Sequence, residues 1–188
     1  FEKAWNAQTM KARGLYINLD TQRIVARAYD KFFNINEREE TKFDTLQRNL
    51  TFPVTAYVKE NGFLGIVSYN AEADDLFITT KSNPGGEYAQ YLRAMLYKKL
   101  STEALGKIKN YTKEHDVSFV FECVDMQNDP HVIAYPDDEL ILLDVVSNSL
   151  KFEKKSYAEL CAIADEFGIH HKELAFQLNT WQEFYDWY

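Results

Sequence analysis

VTAYVKENGFLGIVSYN, residues 54–70, is the stretch that decides the fold. Its first part, residues 54–59, is rich in β-branched and aromatic side chains and follows Pro53, so it reads as a strand. Asn61-Gly62 is a two-residue hairpin signal, and residues 63–69 read as the returning strand. Residues 72–75 then turn the chain into a third strand over 76–80. The expectation is an antiparallel meander of three strands. Lys59 closes the first of them, and the turn directs its amine beyond the sheet.

On the N-terminal side, residues 14–19 and 23–28 are short and β-rich, separated by Asp20-Thr21-Gln22, which predicts a hairpin or a pair of neighbouring strands. The first ten residues read as the tail of a helix or a loop. Residues 36–49 are polar and predict a loop with a helical turn. On the C-terminal side, Pro84-Gly85-Gly86 marks a change of period. Tyr88, Tyr91, Leu92, Met95 and Leu96 recur at helical spacing, and a second helix follows over 102–115. Residues 117–124 return to strand, and the apolar run 140–146 suits a buried strand. Helical spacing comes back over 157–167, and residues 181–188 begin another helix. The class is α+β, mainly antiparallel sheet with flanking helices, in a single domain over 1–188.

Composition narrows the function classes. Hydrophobic residues make up 46% and charged residues 27%, which is globular rather than disordered composition. No stretch approaches the roughly 18–20 apolar residues of a membrane span, and no apolar signal core opens the chain, so it reads as soluble and cytoplasmic. Cys123 and Cys161 form no CxxC pair and predict two free thiols. A net charge of −8 argues against a protein coated in nucleic acid, although a local cleft can still be basic.

The chemistry centres on Lys59-Glu60-Asn61-Gly62. A lysine at a strand end can be a solvated hairpin residue. Alternatively, in a pocket that disfavours the ammonium, its neutral amine can attack the α-phosphate of ATP. Other groups that a nucleotide needs also lie near strand ends: Arg13 before the first strand, Lys31 after the second, Lys81 after the meander, and Glu122 on the strand over 117–124. Each has a plainer reading. Glu122 can pair with a neighbouring lysine, and Arg13 can form a surface ion pair. Phe32 and Phe33 would alternate across a strand, placing one in the core and leaving the other to stack on adenine. The four histidines lack metal-ligand spacing. Residues 37–40 read as a solvated acidic loop, and residues 137–139 as an acidic turn.

The stretches ARGLYIN (12–18), DKFFNINE (30–37), YVKENGFL (57–64), ITTKS (78–82), FVFECV (119–124), HVIAY (131–135) and LILLDV (140–145) resemble, in order and spacing, the covalent nucleotidyltransferases. Within that superfamily the likeness is to the first RNA ligase of T-even phages and the ligase domain of fungal-type tRNA ligases. The resemblance implies a nucleotidyltransferase core of ATP-grasp-like ligase type. It implies that Lys59 carries AMP, and that Arg13, Lys31, Phe33, Glu60, Asn61, Gly62, Lys81 and Glu122 line the nucleotide site. It further implies ATP and Mg2+ as cofactors, RNA 5′-phosphate and 3′-hydroxyl ends as partners in RNA repair or tRNA processing, and fused or associated kinase and phosphatase modules.

Two features depart from the pattern. Asn61 stands where the phage enzymes have Asp. The later motifs, an E-G-hydrophobic strand and a K-x-K strand, do not occur by Tyr188. The chain is therefore expected to be a partial adenylyltransferase domain that binds AMP more readily than it forms adenylate. A DNA ligase, a capping guanylyltransferase and a catalytically incomplete nucleotide- or RNA-binding module are the competing readings.

Overall fold

The computed structural model describes residues 5–130, 133 and 135–188. His131, Val132 and Ala134, in the HVIAY stretch, lie outside the described residues, as do the first four positions of the N-terminal segment. In chain order the elements are β1 (Leu15–Asn18), β2 (Arg23–Arg27), a 3-10 turn (Glu39–Thr41), α1 (Phe43–Asn49), β3 (Val54–Tyr57), β4 (Phe63–Asn70) and β5 (Asp75–Thr80). There follow α2 (Glu87–Lys99), α3 (Thr102–His115), β6 (Val117–Val124), β7 (Glu139–Ser147), α4 (Tyr157–Phe167), β8 (Leu174–Leu178) and α5 (Trp181–Trp187). The class is α+β, as the periodicities predict. No helix among the described residues is long and apolar enough to cross a membrane.

The chain divides into two compact units. One runs to Asp30 and resumes over Glu60–His171; the other comprises Lys31–Lys59 and Lys172–Tyr188. One boundary between the units falls between Lys59 and Glu60.

The larger unit is built on a four-stranded antiparallel sheet in the order β5-β4-β6-β7, accompanied by the β1-β2 hairpin. One cluster of buried side chains joins Val67, Phe119 and Phe121 to Leu92, Leu96, Ile108, Leu160 and Phe167 of α2, α3 and α4. Burying each such side chain contributes about 1.5–3 kcal/mol, which makes this apolar layer the main support of the unit. A second cluster joins Ala26 and Ala28 to Ile66, Val120 and Val146. The helices start on local signals. Ser101 accepts from the Ala104 N–H at 3.1 Å ahead of α3, and Ser156 and Glu159 form a reciprocal capping box ahead of α4.

The three-stranded meander does not form. The β4-β5 hairpin does, but β3 pairs antiparallel with β8, Val54 opposite Leu178, and β4 takes β6 as its other neighbour. The reason lies at Gly62. A Cβ there would stand 2.2 Å from the Cys123 carbonyl oxygen, so the glycine permits backbone contact with β6 rather than a hairpin turn. Asn-Gly gives the same local signal in both situations.

The smaller unit holds β3-β8, α1 and α5. Its ring contacts lie largely at the surface: the Phe43 ring meets Trp181 and the exposed Tyr185 and Tyr188 edge-on, Phe176 lies against the exposed Trp187, and Phe184 is buried. Phe32 and Phe33 do not sit in a strand. Phe32 is 63% exposed and Phe33 half-buried, so the expectation that one of them enters a core is not met. Residues 31–34 gain no strand partner, and without one the in–out alternation of a strand is not imposed.

Candidate nucleotide site

In the larger unit the antiparallel register brings particular residues to one end of the sheet. Gly65 pairs with Thr80, Leu64 with Glu122 and Phe63 with Cys123, so Gly62, Lys81 and Glu122 gather where β4 begins and β5 ends. Arg13 joins them through its neighbour. The Gly14 N–H donates to the Lys81 carbonyl at 3.1 Å, and the Gly14 carbonyl accepts from Ala28 N–H at 2.9 Å. The Tyr16 hydroxyl donates to the Thr80 carbonyl at 2.6 Å. Gly14 is held at φ +68, and a Cβ would lie 2.9 Å from that of Ala28, so only glycine makes this crossing without strain. Two cationic residues, Arg13 and Lys81, thereby come to the same strand ends as the Glu122 carboxylate.

The loop after Lys59 is fixed from β6 and the β6–β7 connection. Glu122 Oε1 accepts the Gly62 N–H at 2.9 Å. The Tyr135 hydroxyl accepts the Asn61 N–H at 2.8 Å and donates to Glu60 Oε2 at 2.9 Å. Glu60, Asn61 and Gly62 are thus engaged with protein groups. Glu122 remains half-buried, and a carboxylate offers about four lone-pair directions, more than the Gly62 amide alone uses.

On that part of the sheet burial shifts two groups, and neighbouring carboxylates add to it. Burial pushes the Cys123 thiol up, and the Glu122 charge beside it adds to the effect. The Tyr29 phenol is pushed well above its ordinary value, first by burial and then by Asp144, with a further contribution from Glu122. Tyr29 donates to Asp144 Oδ2 at 2.6 Å, and Lys154 binds Asp144 Oδ1 at 2.8 Å. Asp144 is only 3% exposed, so this pair of donors accounts for a buried charge on β7.

The other predicted residues belong to the smaller unit. Lys59 follows β3 and is exposed, while the preceding Val58 N–H donates to Glu173 carbonyl at 2.9 Å. The pocket expected to desolvate Lys59 is therefore not supplied by its immediate strand. Lys31 Nζ lies 4.4 Å from the Phe33 ring centroid and the Arg38 guanidinium carbon 4.5 Å from it, so Phe33 gathers two cations. Lys172, only 8% exposed, stands 4.4 Å over the Tyr57 ring.

Sequence reasoning quoted Tyr135 within a motif but gave it no role, and it missed Arg38. Neither had a local signal. The Tyr135 partners are 74 and 75 positions away, and Arg38 lies in a stretch read only as acidic loop. That acidic stretch forms ion pairs, Arg38 with Glu40 and Lys42 with Glu39. The acidic turn is likewise paired, Asp137 with Lys99 and Asp138 with Lys98. Among the described residues no group of three His, Cys, Asp or Glu side chains could hold a metal ion, and both cysteines are free thiols. A magnesium ion bound mainly through nucleotide phosphates and water makes little demand on protein ligands, so the donor set is compatible with one.

Comparison with known proteins bears on the family and the fold. The pattern of one family, described as RNA ligase, matches residues 11–188. A tRNA ligase of Candida albicans is 24% identical over 189 residues, covering 86% of this chain and 22% of the relative. A tRNA ligase 1 of Schizosaccharomyces pombe is 28% identical over 174 residues, covering 84% and 22%. The chain thus spans 22% of the length of these curated relatives. Among solved structures, form 1 of an archaeal ATP-dependent RNA ligase matches 98% of this chain and 45% of its own, with TM-score 0.61 and 15% identity. Form 2 matches 88% and 40%, with TM-score 0.57 and 14% identity. At those identities the likeness concerns the fold alone. A family pattern running from residue 11 to the last residue, together with the two tRNA ligase relatives, shows that the chain belongs to the RNA ligase family of the T4 and fungal tRNA ligase type.

Proposed function

We propose that this chain is the nucleotide-binding part of an ATP-dependent RNA ligase adenylyltransferase domain, with Lys59 as the residue that carries AMP. The observation that carries the reading is the tethered loop immediately after that lysine: Gly62 bound to Glu122, in a chain of the RNA ligase family.

The chemistry runs in three displacements. The Lys59 amine attacks the α-phosphorus of ATP, forming a P–N bond as the P–O bond to pyrophosphate breaks, and the amine proton leaves to solvent. An RNA 5′-phosphate oxygen then attacks the same phosphorus, freeing Lys59 and forming a phosphoanhydride. Finally, an RNA 3′-hydroxyl attacks the 5′-phosphorus, and AMP leaves as the strand is sealed. Arg13, Lys31 and Lys81 supply positive charge for the phosphates, and Glu122 accepts from the ribose. Glu60, Asn61 and Gly62 form the loop that carries Lys59. Phe33 either stacks on adenine or orients Lys31 through its ring. Mg2+, when bound, offsets phosphate charge during attack. Repair of broken RNA, tRNA ends included, is the process this serves, in a cytoplasmic setting and alongside kinase and phosphatase modules.

The test is incubation of the full-length protein with α-labelled ATP and magnesium, followed by denaturation. Label on the protein that disappears in Lys59→Ala supports the reading. Absence of label leaves a nucleotide- or RNA-binding module, and labelling by GTP instead points to a capping enzyme.

A further inference from the structure

We infer that Tyr135 is a positioning residue for adenylylation, acting through the backbone of Glu60 and Asn61 on the lysine that precedes them; the inference rests on the adenylylation reading of Lys59. Its hydroxyl has one proton and two lone pairs. The structure uses it in both directions at once, with the proton given to Glu60 Oε2 at 2.9 Å and a lone pair taken by the Asn61 N–H at 2.8 Å. A bond to a carboxylate is charge-assisted and stronger than a neutral one.

The setting makes this latch consequential. Residues 58–61 have no regular secondary structure, and the regular pairing of β3 does not extend over them. The Asn61 and Gly62 amides are instead held one after the other, the first by Tyr135 and the second by Glu122. Lysine reaches its target on a long flexible stem, and only a narrow range of approach is productive in an in-line displacement. A misplacement near 1 Å can cost about a hundredfold in rate. The Tyr135 ring is half-buried and lies outside both buried apolar clusters, so loss of its hydroxyl takes nothing from the sheet core.

The experiment compares wild type, Tyr135→Phe, Glu60→Ala and the double variant, all in the full-length protein. Single-turnover labelling by α-labelled ATP is expected to slow about 10- to 100-fold at saturating ATP in Tyr135→Phe. The KM for ATP should stay within about twofold, the mark of a group that acts on the step rather than on binding. The thermal midpoint should not move. The double variant should be no slower than the worse single, because both remove the same latch. Hydrogen exchange gives a reading independent of catalysis: the Asn61 amide should exchange at least about tenfold faster in Tyr135→Phe. Wild-type labelling rates in Tyr135→Phe, or a loss explained wholly by KM or by melting, overturn the positioning role. Unaltered Asn61 exchange overturns the latch itself. Failure of wild type to label, with Asn61 exchange accelerated as expected, removes the adenylylation reading and with it the catalytic role of the latch.

Discussion

The Gly62 N–H points into the Glu122 carboxylate at 2.9 Å, so a carboxylate aligned by β6 holds the loop that follows Lys59. Glu122 is thereby both a structural partner and a candidate ribose acceptor, and these two roles separate on substitution. Glu122→Gln keeps an oxygen for Gly62 and is expected to fold with an unchanged melting midpoint while adenylylation falls about tenfold or more, since a charged acceptor is replaced by a neutral one. Wild-type labelling in that variant would take Glu122 out of the nucleotide site.

Gly62→Ala should fail for reasons of space. The new methyl would overlap the Cys123 carbonyl, forcing β4 and β6 apart at the loop. Overpacking of this kind costs about 1–3 kcal/mol. Denaturant melts should show that loss of stability, together with loss of labelling; an unchanged midpoint would mean the loop relaxes freely.

The Tyr29–Asp144–Lys154 cluster predicts an alkaline effect. The Tyr29 phenol is raised in the folded chain above its ordinary value of about 10. The unfolded chain then releases this proton first as pH rises, so the stabilisation is complete below about pH 10 and declines above it. Tyr29→Phe should lose about 1.5–3 kcal/mol at pH 7 through the missing bond to a charged group. Melting between pH 9 and 11, about one unit on either side of a free phenol, should then fall less steeply in the variant than in wild type.

Acid should act at the start of α4. The Ser156 hydroxyl and N–H, with Lys155, hold the Glu159 carboxyl down to about 2 from an ordinary 4.5. That contribution is present above pH 4.5 and disappears as pH falls towards 2. Ser156→Ala should cost about 1 kcal/mol near neutrality. The gap in melting temperature between it and wild type should narrow in acid, and a gap independent of pH would count against the capping box.

Where a signal is local, the sequence carried it. The β1-β2 hairpin, α3, α4, β6 and β7 follow from periodicity and turn signals at or close to their observed bounds. Placement of Arg13, Lys81 and Glu122 near strand ends was legible for the same reason. Pairing across long separations was not. Leu174, Phe176 and Leu178 do alternate with Ala175 and Gln177, but over only five largely exposed residues, and nothing in them announced β3 as the partner. Asn61-Gly62 looked like a hairpin because the dipeptide does not reveal whether glycine serves a turn or a close approach. Tyr135 acquires its role only once the β6–β7 connection has folded back to Glu60 and Asn61.

The pairing of Val54 with Leu178 also sets an order of events during synthesis. A ribosome working at about 5–20 residues per second delivers β8 several seconds after β3, and the tunnel delays its emergence further. Until then the strand leading to Lys59 has an open edge and no ladder to join. The nascent polypeptide can assemble its larger sheet early, but the smaller one must wait for nearly the last residues of this sequence to emerge.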